Sequence, residues 1–159
     1  TDLTLAEAEE FVKTYFKTFP GVKRYLDEAR RKATEQGYVE TLLGRRRYFP
    51  GLKTQSNYNI RAREEREAIN APIQGTAADI MKIAMLRVPQ ALTEAGLSGR
   101  MLLQVHDELV IETPKEQLLP TAALVQSVME GAYQLSIPLI TDARYGVNWG
   151  EMQPVMEAK

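Results

Sequence analysis

An α+β fold, with helices packed on one face of an antiparallel sheet, is predicted by three observations. Apolar residues recur at helical spacing up to Gln36, helix signals return from Ile60 to Leu92, and short apolar runs then follow in the order ββαβ. The 159 residues suit a single region with a respectable core.

The elements follow from local chemistry. Thr4-Leu5-Ala6-Glu7 is a capping box, in which hydroxyl and carboxylate each satisfy free N–H groups. Leu5, Ala8, Val12, Tyr15, Phe16 and Phe19 then predict a helix over Leu5–Thr18 with a packing stripe. Pro20-Gly21 punctuates it, and a second helix with Val22, Tyr25, Leu26 and Ala29 inward runs to Gln36-Gly37. Tyr38 to Leu43 and Arg45 to Pro50 read as a small hairpin turning near Gly44. Gly51 to Asn59 reads as a loop. A helix from Ile60 to Asn70 is expected to be interrupted or kinked at Pro72, which lacks an N–H, before a further segment to Leu92.

Met101 to Val105 and Leu109 to Glu112 are two apolar runs around His106-Asp107-Glu108, predicting two buried strands with acid at the turn. Thr113-Pro114-Lys115-Glu116 starts another helix, with Leu119, Ala122, Val125 and Met129 inward, ending near Gly131. Ile137 to Tyr145 reads as a last strand, and Gly146 to Lys159 as a tail anchored by Trp149.

Composition excludes several classes. There are no cysteines, so disulfides and thiolate metal sites are ruled out, and His106 is the one histidine, which excludes a multi-histidine zinc site within these residues. No apolar run approaches the roughly 20 residues that span a bilayer, so no membrane partner is expected. Net charge is −1, but Pro20 to Arg66 holds 12 Lys/Arg against 6 Asp/Glu, and the rest holds 8 against 15. A basic segment beside an acidic remainder suits a protein that grips phosphates and holds cations, or is uneven surface charge.

Three stretches can carry chemistry. Carboxylates at the end of an apolar hairpin offer hard oxygens to Mg²⁺; the alternative is a solvated polar turn. Arg66, Asn70 and Gln74 fall at i, i+4 and i+8, so a guanidinium and two amides share a helical face and can donate to minor-groove acceptors; the alternative is a polar stripe. Gly75, Thr76, Ala77 and Ala78 are small enough for close backbone packing. Arg45-Arg46-Arg47 beside Tyr48-Phe49 suits phosphate contacts, or is a surface charge run.

Three blocks together resemble the family A (bacterial polymerase I-like) DNA polymerases. They are Gly37-Tyr38-Val39-Glu40-Thr41-Leu42-Leu43-Gly44-Arg45-Arg46-Arg47-Tyr48, Asn70-Ala71-Pro72-Ile73-Gln74-Gly75-Thr76-Ala77-Ala78-Asp79, and Leu103-Gln104-Val105-His106-Asp107-Glu108-Leu109. The resemblance implies the C-terminal palm and fingers portion of the polymerase domain. Fingers-side helices and the basic hairpin would occupy about 1–60, and palm about 61–159, with the palm sheet incomplete relative to a full polymerase. It further implies that Asp107 is a catalytic aspartate and metal ligand and that Glu108 assists catalysis beside it. Gln104 and His106 then lie near the primer end, Arg66, Asn70 and Gln74 touch the minor groove and template, and Arg45, Arg46 and Arg47 belong to the fingers and its junction with the palm.

The implied reaction is attack of a primer 3′-hydroxyl on the α-phosphate of a deoxynucleoside triphosphate. Two Mg²⁺ ions about 4 Å apart would assist it. The implied partners are primer-template DNA, deoxynucleoside triphosphates and an upstream part of the polymerase. Use in DNA replication or repair and a bacterial-type cytoplasmic location follow. The family's first aspartate motif and its triphosphate-binding fingers helix are absent from these residues, so the chain alone is expected not to extend primers. Two rivals remain: a Mg²⁺-dependent nuclease using Asp107, Glu108 and Asp142, and a non-catalytic nucleic-acid-binding module.

Overall fold

The computed structural model describes residues 4–54 and 58–155, which divide into two compact units, Thr1–Thr76 and Ala77–Lys159. In the first unit, α1 spans Leu5–Thr18 and begins at the expected capping box: Thr4 N–H donates to Glu7 Oε2 (2.8 Å) and Glu7 N–H to Thr4 Oγ1 (3.4 Å). Helix α2 covers Pro20–Gln36 with its proline in the first turn, where a missing N–H costs nothing. Strands β1 (Tyr38–Glu40) and β2 (Arg46–Tyr48) form the hairpin in the register Tyr38↔Tyr48, Val39↔Arg47, Glu40↔Arg46.

The core of this unit is Ala33, Val39, Phe49, Leu52, Ala68 and Ala71. It draws on α2, both sides of the hairpin, the short helix α3 (Gly51–Thr54) and the long helix α4 (Tyr58–Glu94). The Tyr25 hydroxyl of α2 donates to the Ile69 carbonyl of α4 (2.8 Å), which ties the two helices by a long-range bond.

Several expectations change here. Most of the α1 stripe is exposed: Leu5, Val12, Tyr15 and Phe19 face solvent while Ala8 and Phe16 are half-buried, and Tyr15 meets Phe16 and Phe19 ring to ring. In α2 the buried face is Ala29 and Ala33, while Val22 is exposed. Leu42 and Leu43 leave the strand and form an exposed turn. The stretch read as a loop contains α3, with Leu52 buried in the core; residues 55–57 lie outside the described residues. Pro72 does not interrupt α4, which is helical throughout Tyr58–Glu94. A proline deletes one ladder bond, yet the helix continues through it, with Ala68 and Ala71 packed in the core just before it.

In the second unit, β3 (Arg100–Val105) and β4 (Glu108–Glu112) pair antiparallel with a bulge between Met101 and Leu103. A short 3₁₀ turn (Lys115–Gln117) leads into α5 (Leu118–Glu130). The core is Val88, Leu92 and Val125, with Leu97, Leu109, Ile111, Leu124, Val128 and Met129 packed against it. Leu119, expected inward, is exposed, and Thr121 and Val125 take the buried face.

Strands β3 and β4 are less buried than expected, with Leu102 and Leu103 about half exposed, because only one face meets the core. The last strand is short: β5 is Arg144–Tyr145 and pairs with β6, Gln153–Pro154, while Ile137 to Ala143 carries no strand. Pro138 withholds an N–H there, and no ladder partner faces it among the described residues. Among the described residues the β-structure is therefore three two-stranded antiparallel ladders, and the α+β class stands. Trp149 is exposed rather than an anchor, and residues 156–159 of the tail lie outside the described residues.

Candidate functional site

Two surfaces carry the predicted residues. The first lies on α4. Arg66, Asn70 and Gln74 are all exposed, and none makes a side-chain hydrogen bond or ion pair with another described residue. At 1.5 Å of rise per residue they form a row about 12 Å long. Their neighbours behave differently: Arg61 Nε pairs with Glu65 (3.1 Å) and Arg63 Nε with Glu67 (2.9 Å). Three donor-rich side chains on a regular helix, with no internal partner, are available to acceptors outside the protein.

The hairpin arginines are each engaged within the first unit. Arg45 Nη2 donates to the Gly75 carbonyl (2.9 Å), next to Gln74. Arg46 Nε bonds Glu40 Oε1 (2.7 Å), and its guanidinium lies 4.6 Å from the Tyr38 ring centre. The bonds to Glu40 and Tyr48 push the Arg46 guanidinium further above its ordinary range. Arg47 Nη2 pairs with Glu67 Oε2 (2.7 Å) and stacks over Phe49. Glu67 thus bridges Arg63 and Arg47, and the Arg63 bond, ahead of the other contributions, holds its carboxyl below the ordinary 4.5. All these pairs are solvent-exposed, so a phosphate can compete for the guanidinium groups at small cost.

The second surface is the β3–β4 turn. Val105 pairs with Glu108, leaving His106 and Asp107 as a two-residue connection. His106 adopts φ 54°, a left-handed conformation that a β-carbon disfavours. The Gln104 side-chain amide donates to the His106 carbonyl and holds the turn in that form. Gln104, His106, Asp107 and Glu108 are exposed, and neither carboxylate is paired with a cation among the described residues. A positive φ is the usual way a two-residue hairpin connection closes, and here it sets the backbone beside Asp107.

No group of three or more His, Cys, Asp or Glu lies together among the described residues, so Asp107, Glu108 and Asp142 do not converge on one centre. A Mg²⁺ ion commonly keeps several waters and takes one or two carboxylates plus substrate phosphates, and the exposed Asp107 and Glu108 oxygens fit that kind of contribution. No helix is long and apolar enough to cross a membrane among the described residues.

Sequence reasoning missed the contacts that brace α4 near Gln74. Thr41 and Thr76 are buried polar residues; the Thr76 hydroxyl joins the hairpin turn to the helix, and the Thr41 hydroxyl accepts Leu43 and Arg45 N–H within the turn. Their signal was partial: the small residues after Gln74 marked a close approach without saying to what.

The profile described as DNA polymerase family A matches residues 1–151. The DNA polymerase I of Streptococcus pneumoniae serotype 4 is 52% identical over 145 residues, covering 91% of this chain and 16% of that protein. That of Geobacillus stearothermophilus is 50% identical over 148 residues, covering 93% and 17%. Among solved structures, the POL domain of Pol1 from M. smegmatis, in complex with DNA primer-template and dNTP, matches with a TM-score of 0.81 and 47% identity, over 86% of this chain and 24% of that one. The chain thus spans about a sixth of the length of these curated relatives.

Proposed function

The chain belongs to DNA polymerase family A, and from that premise we propose that it supplies a duplex grip and a catalytic carboxylate to DNA-templated DNA synthesis. The observation that carries the proposal is the unpartnered row Arg66, Asn70 and Gln74 on α4. Minor-groove acceptors occupy equivalent places in every Watson–Crick pair, so a guanidinium and two amides at helical spacing can test pair shape without choosing a sequence. Gln104 and His106 extend the same kind of contact toward the primer end. Arg45, Arg46 and Arg47 offer charge to the phosphate backbone in exchange for their exposed internal partners.

Asp107 is the residue proposed to hold Mg²⁺, with Glu108 adjacent to adjust charge and hydration. Bound Mg²⁺ supplies Lewis-acid stabilisation of the transferring phosphoryl oxygens and of the 3′-oxyanion. Among this chain's own groups, the Gln104 bond holds the His106 turn so that Asp107 enters the reaction already oriented, and orientation of this kind is a large part of catalysis. A second carboxylate, the triphosphate-holding cations and the remaining DNA contacts are proposed to come from an upstream polymerase segment. Primer-template DNA and deoxynucleoside triphosphates are the partners, and a cytoplasmic setting accompanies that role.

The test is primer extension by the chain with and without such an upstream segment from a family A relative. Extension is expected from the pair and not from this chain alone, and Asp107→Ala in the pair is expected to abolish it. A well-folded, associated pair that does not extend primers would sink the proposal.

A further inference from the structure

Pro72 lies between the two amides of the donor row. Because it cannot donate to the Ala68 carbonyl, α4 lacks the ladder bond that closes the turn from Ala68 to Pro72, the turn that carries Asn70. A helix softened at that point would let the two amides drift relative to each other. One buried hydroxyl ties the next turn to the hairpin. Thr76 Oγ1 donates to the Pro72 carbonyl (2.6 Å) and accepts the Leu42 N–H of the β1–β2 turn (3.0 Å).

The turn is built to meet it. Thr41 N–H donates to the Arg45 carbonyl and Gly44 N–H to the Thr41 carbonyl (both 3.0 Å). Thr41 Oγ1 accepts Leu43 N–H (3.3 Å) and Arg45 N–H (3.1 Å). Gly44 takes φ 84°, open to a residue without a β-carbon. Of the backbone donors from Thr41 to Arg45, Leu42 N–H is the one that leaves the turn, and it goes to Thr76. Thr41 and Thr76 are 9% and 8% exposed, so water is a poor substitute for either bond.

Gly75 completes the fit. A β-carbon there would lie 2.6 Å from Thr41 Cγ2 and 3.3 Å from Arg45 Nη2, closer than packed carbon atoms approach. Its absence lets the turn sit directly on the helix, and Arg45 Nη2 then reaches the Gly75 carbonyl.

We propose that Thr76, Gly75 and Thr41 are positioning residues: they latch the β1–β2 turn onto α4 and hold Asn70 and Gln74 in register across Pro72 for minor-groove reading. This rests on the function proposed above for that row. The latch touches neither DNA nor reacting atoms; it acts through Asn70 and Gln74.

The test uses the chain paired with an upstream polymerase segment. Thr76→Val keeps the side-chain shape and removes both bonds, and Thr76→Ser keeps them. Preference for matched over mismatched primer ends should fall about fivefold in T76V, the scale of one net hydrogen bond, and T76S should stay close to the parent. In an Asn70→Ala/Gln74→Ala background, T76V should add nothing further. An additive loss in that background, or an unchanged preference in T76V, would overturn the positioning role. Amide exchange at Leu42 reads the latch without activity: T76V should speed it, and unchanged protection overturns the latch. Gly75→Ala should speed it too, by displacing Thr41 rather than removing a bond. A parent pair unable to extend primers would sink the proposed function and the positioning role together. Unaltered Leu42 exchange in an active pair would sink the latch alone.

Discussion

Along Arg66, Asn70 and Gln74 the backbone is regular helix and the side chains lack partners, whereas at His106 to Glu108 the backbone itself is distorted. The first surface places its donors by repetition: four residues per step along α4 give an even row, tied to Tyr25 of α2 and, through Thr76, to the hairpin turn. The second places one group by strain, with His106 in a left-handed conformation and Gln104 holding its carbonyl. An even row suits recognition of a repeating duplex groove. A single fixed point suits a reacting centre. The two surfaces should therefore fail differently when altered.

The largest effect is expected at the strained turn. Asp107→Ala in the reconstituted polymerase should lower the rate of extension by about 10²–10³-fold or more, the scale for losing one group that stabilises transition-state charge, while primer-template affinity changes little. Rapid-quench extension with a parallel binding titration separates the two.

The donor row should show the reverse. Arg66→Ala is expected to weaken primer-template binding by about 1–3 kcal/mol, as for one lost groove contact, without changing the Mg²⁺ dependence of the rate. Fluorescence anisotropy on a labelled duplex measures the first and a metal titration the second. A loss in Mg²⁺ response would erase the distinction between the surfaces.

The braces should act on stability. Tyr25→Phe removes the bond to Ile69 and is expected to cost about 0.5–1.5 kcal/mol by urea denaturation. Burial raises the Tyr25 phenol above its ordinary 10.0. Its folded form therefore keeps the proton longer than the unfolded form, so this contribution is intact below the ordinary value and is lost as pH rises through the folded one. Y25F should flatten that alkaline decline.

The smallest effect belongs to Glu67. Its carboxyl is held below the ordinary 4.5, chiefly by Arg63, so its contribution is present above that value and lost as pH falls through the folded value. Because the pair is exposed, Glu67→Gln should only soften the acid limb of the stability profile, and less so in high salt.

The parts legible in sequence were those set by neighbours in the chain. The Thr4–Glu7 box fixed the start of α1, and the β-formers around Gly44 marked the hairpin. Arg66, Asn70 and Gln74 were visible as a helical face because their spacing alone defines it. What sequence left hidden depends on distant partners. Pro72 reads as a break or kink because its local cost is plain, whereas the core contacts of Ala68 and Ala71 beside it are not local. Thr76 meets Leu42 across 34 positions, and no spacing rule links them. The apolar stretch from Ile137 looked like a strand, yet a strand exists only where another offers its ladder.

The most direct measurement compares Gln74→Ala and Asp107→Ala side by side in the reconstituted polymerase, recording extension rates from matched and mismatched primer ends. Q74A is expected to narrow the ratio between the two ends while retaining substantial extension. D107A is expected to lose extension from both ends alike. Equal loss of rate in both variants, with the ratio unchanged in Q74A, would contradict the assignment of groove reading to α4 and chemistry to the β3–β4 turn.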